Sequence, residues 1–212
     1  MSISSASSPP RQARGTKGMP HADRRQEIMA AALREFAEHG FAVSSMASVA
    51  ARAGISKALV YQHFPSKEGL YLACFTGIAE PLVARIEAEM AASPPSSLPI
   101  NVLNGVFDAL GPDRTTWRLF YDPTAPTTGE AGETVNRFRE RLTGLALSGV
   151  SDFLGTLGEV DPLDVDALAR MWTGIVDAVV TWAIDHPDET AEQLTARWTR
   201  IVTAIFDVGG RR

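Results

Sequence analysis

Hydroxyl, ammonium, phenol, amide and imidazole groups crowd into one short stretch of this 212-residue chain. Residues 45–67 read SMASVAARAGISKALVYQHFPSK, and Ser45, Lys57, Tyr61, Gln62, His63 and Lys67 are its hydrogen-bonding and cationic members. These groups suit binding rather than bond-breaking. Lys57 can reach a phosphate or a guanine edge. Gln62 is a candidate base reader, and Ala58 and Leu59 are small or apolar enough to pack on a thymine methyl. Lys67 stands beside the start of a helix, where unpaired N–H groups attract an anion. Catalytic arrangements are missing from the sequence. It has no Gly-rich phosphate loop, no His-Glu metal helix and no Gly-x-Ser-x-Gly. Its four histidines (His21, His39, His63, His186) are scattered, and the acids at 159–166 lack the spacing and terminal Glu of a calcium loop. No catalytic residue, metal site or cofactor is expected, and no enzymatic activity.

The elements that must hold these groups follow from the same stretch. A short apolar helix is expected over Met46–Ala53, capped by Ser44 or Ser45. Gly54 breaks it, because glycine takes positive φ at no steric cost. Ser56 opens a second short helix ending near His63, and Phe64-Pro65 closes it, since proline disfavours helical geometry in the residue before it. Ser66 then caps a third helix. Two helices of about two turns joined by a tight Gly-containing turn make a helix-turn-helix. Val49, Ala53, Ile55 and Val60 supply its shared core, and Ala50 allows close contact.

The run AARAGISKALVYQHFPSKEGL resembles the DNA-binding signature of the TetR family of one-component transcriptional regulators. Ala50, Ala51, Ala53-Gly54-Ile55-Ser56-Lys57, Tyr61, His63-Phe64 and Ser66-Lys67-Glu68 carry the likeness, which covers about residues 24–75. The resemblance implies that Ser45 is a phosphate-contacting hydroxyl and that Tyr61 and His63 face the DNA backbone. Two positions depart from the pattern. Ala47 and Ser48 stand where acidic residues are common, and Ala58-Leu59 replaces Gly-Thr on the base-facing helix, so operator preference does not transfer.

Charge is divided along the chain. Residues 1–70 hold nine Lys and Arg against five Asp and Glu, and residues 71–212 hold eleven against twenty. A basic N-terminal module on an acidic body suits a protein that meets phosphate with one end. A single cysteine, Cys74, excludes an internal disulfide, and its apolar neighbours predict a buried, inert thiol. No signal-peptide pattern opens the chain and no apolar run approaches the ~18 residues of a membrane span, so a cytoplasmic location and no membrane partner are expected.

The rest reads as all-α. Residues 1–20 form an expected disordered arm, whose Arg11, Arg14 and Lys17 are candidate phosphate contacts. A first helix runs from an Asp23 cap to Gly40, with Met29, Ala32, Leu33, Phe36 and Ala37 on one stripe. The helix from Ser66 is expected to kink or restart at Pro81. Further helices are expected over about 100–110, 113–121, 133–154, 163–185 and 189–207. Residues 21–68 are thus read as the DNA-binding domain and 69–212 as an effector-binding and dimerisation domain. Phe107, Trp117, Phe120, Tyr121, Phe138, Met171 and Trp172 are candidate lining for a lipophilic ligand pocket, with Asn104, Arg118, Arg139 and Asp177 as nearby polar groups. The last two helices are apolar over more than one face and need a second packing partner. The resemblance implies a second copy, meeting at Gly174, Ala178, Trp182, Trp198, Ile201 and Ile205.

The expected protein is therefore a homodimer that binds a palindromic double-stranded operator and, as the resemblance implies, a repressor released by a small-molecule effector. One alternative is a helix-turn-helix regulator without small-molecule control. Another is an enzyme or small-molecule carrier with a vestigial DNA-binding module.

Overall fold

The computed structural model describes residues 21–209, and side chains through residue 204. The N-terminal arm with Arg11, Arg14 and Lys17, and the side chain of Ile205, lie outside the described residues. Eight α-helices follow in order: α1 (His21–Val43), α2 (Met46–Ala53), α3 (Lys57–His63), α4 (Lys67–Ala92), α5 (Leu98–Leu110), α6 (Gly129–Gly155), α7 (Pro162–Asp185) and α8 (Ala191–Gly209). A 3-10 segment, Arg114–Tyr121, joins α5 to α6. The all-α expectation holds among the described residues.

Several boundaries move from the sequence expectation, each for a local reason. Asp23 lies in the first turn of α1 rather than capping it, where its charge favours the helix dipole. Gly40 stops the regular helix where the sequence places its end, at φ 73° and ψ 168°, and a separate short turn carries α1 on to Val43. Helix α6 begins at Gly129, four residues early, and 114–121 winds as 3-10 rather than α-helix. Pro81 neither ends nor restarts α4, which runs unbroken from Lys67 to Ala92. The lost bond costs little there: Pro81 and Gly77, whose carbonyl has no N–H four residues on, are both exposed to water, while Ala79, Leu82 and Val83 beside them are buried.

Helix α4 is the spine. It packs on α1 at its start and on α5 and α6 along its length. Leu70, Tyr71, Cys74, Phe75, Ala79, Leu82 and Val83 line its buried face. Aromatic rings run from the N-terminal module into the body along this spine: Phe36 to Tyr71 (5.1 Å), Tyr71 to Phe75 (6.1 Å), Phe75 to Phe120 (5.2 Å) and Phe75 to Phe138 (6.0 Å). Phe41 joins the same row edge-on to Tyr71 at 5.2 Å.

The expectation that no stretch approaches a membrane span is corrected. By length and composition alone α4 and α7 are long and apolar enough, each with mean hydropathy 1.3. For α4 the burial just described accounts for the apolar surface inside the protein. Helix α7 buries less of itself, and its remaining apolar surface is taken up below.

Candidate nucleic-acid interface

The helix-turn-helix closes through matched caps. Ser45, extended at φ −139°, accepts from the Ser48 amide at 3.0 Å, and the Ser48 hydroxyl accepts from the Ser45 amide at 2.9 Å. This is a capping box with serine in the acid's place. It gives one of the departures from the family pattern a structural role. Gly54 is left-handed (φ 66°, ψ 30°). The Gly54 amide donates to Ala51 O and the Ile55 amide to Ala50 O, which satisfies the last carbonyls of α2. Ser56 caps α3 through the Leu59 amide at 3.2 Å. Substituting a cap of this kind by alanine costs about 1 kcal/mol.

Val60 points inward from α3 and is fully buried; burying such a side chain contributes about 1.5–3 kcal/mol. Val49, Ala50 and Phe64 complete the small core, with Phe41, Ala53 and Ile55 partly buried against it. Helix α1 holds the pair with charge. Arg52 bonds Glu35 at 3.1 Å and also Glu38. The Arg25 guanidinium donates to the His63 carbonyl at 3.2 Å and lies 4.1 Å over the Phe64 ring. These α1 residues were not singled out from sequence, because their partners are 14 to 38 residues away.

With Val60 inside, α3 turns its other side to solvent. Lys57, Ala58, Tyr61 and Gln62 are exposed, and Leu59 is half-buried. The Lys57 ammonium sits 5.7 Å from the Tyr61 ring centroid. Ser45 is exposed on the N-terminus of α2, with its hydroxyl against Ser48. The structure thus puts Ser45, Lys57, Ala58, Tyr61 and Gln62 in reach of a large ligand.

Two of the sequence candidates are differently employed. Lys67 points back into the protein and donates to the Phe41 carbonyl at 2.7 Å and the Ser44 carbonyl at 3.0 Å. Its charge is spent on the end of α1 rather than offered to an anion. His63 is half-buried against the His21 ring at 4.1 Å, and its Nδ1 is sealed without a partner. Burial, then the positive neighbours His21, Arg25 and Arg24, hold its pKa below the ordinary histidine value.

The expected aromatic ligand pocket is not built as predicted. Phe107, Trp117, Phe120 and Phe138 are buried core, with Trp117 and Phe120 packed ring to ring at 5.4 Å. Trp172 is partly buried against the same core. Tyr121 and Met171 are exposed, at 52% and 62%. Of the polar groups beside them, Asp177 accepts from the Trp117 indole at 3.0 Å and Arg139 donates to the Phe120 carbonyl at 2.9 Å. A groove of about 480 Å³ lies elsewhere, between α4 and α6, with Phe138 its single member from the predicted set. Leu72, Val83 and Phe138 give it an apolar side; Glu80, Glu130, Arg137 and Arg141 charge its edges. Positions 72, 76, 80, 83 and 87 stand at helical spacing with Thr and Glu interrupting the apolar run, and that stripe is the signal the sequence carried.

On the far side, α7 leaves Met171, Gly174, Ile175 and Ala178 exposed, and α8 adds Ile201. Trp182 and Trp198 are half-buried, edge to face at 6.0 Å.

Residues 28–74 match the family model for bacterial regulatory proteins of the tetR family. The HTH-type transcriptional activator FasR of Mycolicibacterium smegmatis is 27% identical over 134 residues, covering 63% of this chain and 61% of that protein. The match thus spans less than two thirds of that relative's length. The structure of the ketosteroid transcriptional regulator KstR2 of Mycobacterium tuberculosis superposes with a TM-score of 0.72 at 20% identity, covering 85% of this chain and 93% of that one. AibR in complex with isovaleryl coenzyme A and operator DNA gives 0.64 at 19% identity, covering 82% and 95%. At such identities the two structures bear on the fold alone. The helix-turn-helix is thus the one described by the TetR family model, and the helical body that carries it shares its fold with known TetR-like regulators.

Proposed function

We propose that two copies of this chain bind a palindromic operator in the cytoplasm, one helix-turn-helix per half-site, and that the usual outcome is repression. In this reading residues 21–68 are the DNA-binding part and 69–212 the dimerising and effector-binding part. Helix α3 lies in the major groove, as second helices of this motif do. Lys57 and Tyr61 meet the backbone or a guanine edge, Gln62 and Ala58 face bases with Leu59 at their flank, and Ser45 donates to phosphate. The observation that carries the reading is the two-sidedness of α3: Val60 is fully buried, while Lys57, Ala58, Tyr61 and Gln62 face outward together.

The second copy docks on the exposed apolar face of α7 and α8. Gly174 has no side chain in its way, with nothing within 4 Å of where a Cβ would stand. Met171, Ile175 and Ile201 are exposed by 62%, 48% and 40%, and apolar patches of this kind mark interaction sites. Met171 therefore moves from the ligand pocket to the dimer face.

An effector in the groove between α4 and α6 fits this design, since α4 packs directly on α1 and α6 reaches the end of α1 through Arg139 and Asp122. Its lining favours an amphipathic molecule over the purely lipophilic one expected from sequence. A ligand that prefers another spacing of the two recognition helices weakens operator affinity by its own coupling factor, about 5–150-fold for 1–3 kcal/mol. One observation favours the rival reading, a regulator without small-molecule control: Trp117, Phe120 and Phe138 fill the interior where a closed pocket was expected.

Selection of bound duplexes from a random DNA pool tests the proposal. A palindromic enriched site, with affinity falling steeply in salt, is the expected result. No enrichment at low salt, with the protein folded, overturns it.

A further inference from the structure

The joint between α1 and α2 is gripped by residues far away in the chain. Gly40 breaks α1 at φ 73°, which frees the next two amides from the helix ladder. Both are taken up by the loop after the 3-10 segment. Phe41 N–H donates to Asp122 Oδ2 at 2.8 Å, and Ala42 N–H donates to Thr124 Oγ1 at 3.0 Å. The other Asp122 oxygen accepts from the Thr124 amide and hydroxyl, at 2.8 and 2.6 Å. Asp122 and Thr124 therefore form one closed clip, with the aspartate only 8% exposed. The clip fits against the glycine: a Cβ on Gly40 would stand 3.1 Å from Thr124 Oγ1 and 3.3 Å from Asp122 Oδ1.

Two carbonyls of the same joint are held by Lys67 at the start of α4, which donates to Phe41 O and Ser44 O. The clip is in turn tied to α6. Arg139 donates to Phe120 O at 2.9 Å and to Asp122 O at 3.3 Å. Its neighbours Arg137, Phe138 and Arg141 line the groove. Ser45 caps α2 directly after the joint.

We propose that Asp122 and Thr124 are positioning residues for operator recognition: they fix the angle of the helix-turn-helix on the body, and through it the half-site spacing a dimer accepts. Neither residue lies on the helix-turn-helix. The proposal rests on the dimeric operator reading above. Half-site spacing is a geometric property of the paired recognition helices, and charge-assisted bonds to backbone amides are short and directional enough to set it.

The test uses the full chain and two variants, Asp122→Asn and Thr124→Val. The second removes the Ala42 bond and the hydroxyl's bond to Asp122 while leaving the Asp122–Phe41 bond in place; it lies at an exposed position and guards against a folding defect in the first. Each is titrated, at a temperature where circular dichroism shows it folded, against the selected operator, the same operator with base pairs inserted or deleted between half-sites, and a single half-site. The expected result is about a 5–150-fold loss on the native spacing, the ordinary size of a coupling between sites, together with a flattened preference among spacings and an unchanged single half-site affinity. Wild-type spacing preference in both variants overturns the proposal. Equal losses on operator and half-site also overturn it, since they report damage to the module itself. If the wild-type protein enriches no palindrome, the dimeric operator reading falls, and this proposal with it.

Discussion

The Lys67 ammonium lies 2.7 Å from the Phe41 carbonyl oxygen and 4.1 Å from the centroid of the same residue's ring. A cation held by two carbonyls and an aromatic face has little left for phosphate. Lys67→Met is expected to lower unfolding stability by about 1.5–3 kcal/mol, the range for hydrogen bonds to a charged group. The salt dependence of operator binding separates the two roles. A lost phosphate contact reduces the slope of log K against log salt by about 0.9; the internal role leaves that slope unchanged.

Lys57 and Tyr61 give the opposite pattern. Both are exposed on α3, so alanine at either should leave thermal unfolding nearly unchanged. Operator affinity is expected to fall in both single variants and further in the double. For Lys57→Ala the salt slope should drop by about 1. Intact binding by the folded double variant would remove α3 from the interface.

The α7 face predicts assembly. Ile175→Arg places a charge at a position 48% exposed in the single chain, so the fold should survive. Light scattering after size exclusion is expected to report a dimer for the wild-type protein and a monomer for the variant. A dimeric variant would move the interface off this face.

His63 predicts a pH dependence with a definite sign. Its pKa is lowered in the folded state, chiefly by burial, so the fold favours the neutral ring. That contribution is fully present above the ordinary histidine value of about 6.5 and is lost as pH falls through the depressed value. Melting temperatures measured across this acid range should fall more for the wild-type protein than for His63→Gln. Parallel curves would show that the ring is not the group responsible.

Cys74 should be inert in the folded protein. It is fully buried, and burial pushes its thiol up to about 12, far from a reactive thiolate at neutral pH. A thiol-specific alkylating reagent is expected to label it only after denaturant is added, as mass spectrometry would show.

What the sequence determined by itself is local. Ser45, Gly54, Ser56, Phe64-Pro65 and Ser66 mark helix starts and stops through contacts within about four residues. Their order was therefore legible, and α2 and α3 stand where those residues predict. The two-sidedness of α3 was legible for the same reason, since helical period alone separates Val60 from Lys57 and Tyr61. The employment of each polar group was settled by tertiary structure. Lys67 looked like an anion contact because its own neighbours place it at a helix start; Phe41 and Ser44, 26 and 23 residues back, claim it. Asp122 and Thr124 read as an ordinary loop, because the amides they cap lie 81 and 82 residues away. Phe107, Trp117 and Phe120 looked like a pocket lining, yet an apolar ring says only that it leaves water. Close packing decided that Trp117 meets Phe120, that Phe120 meets Phe75 and that Phe107 is buried in the same core, and left the groove to the half-polar stripe between α4 and α6.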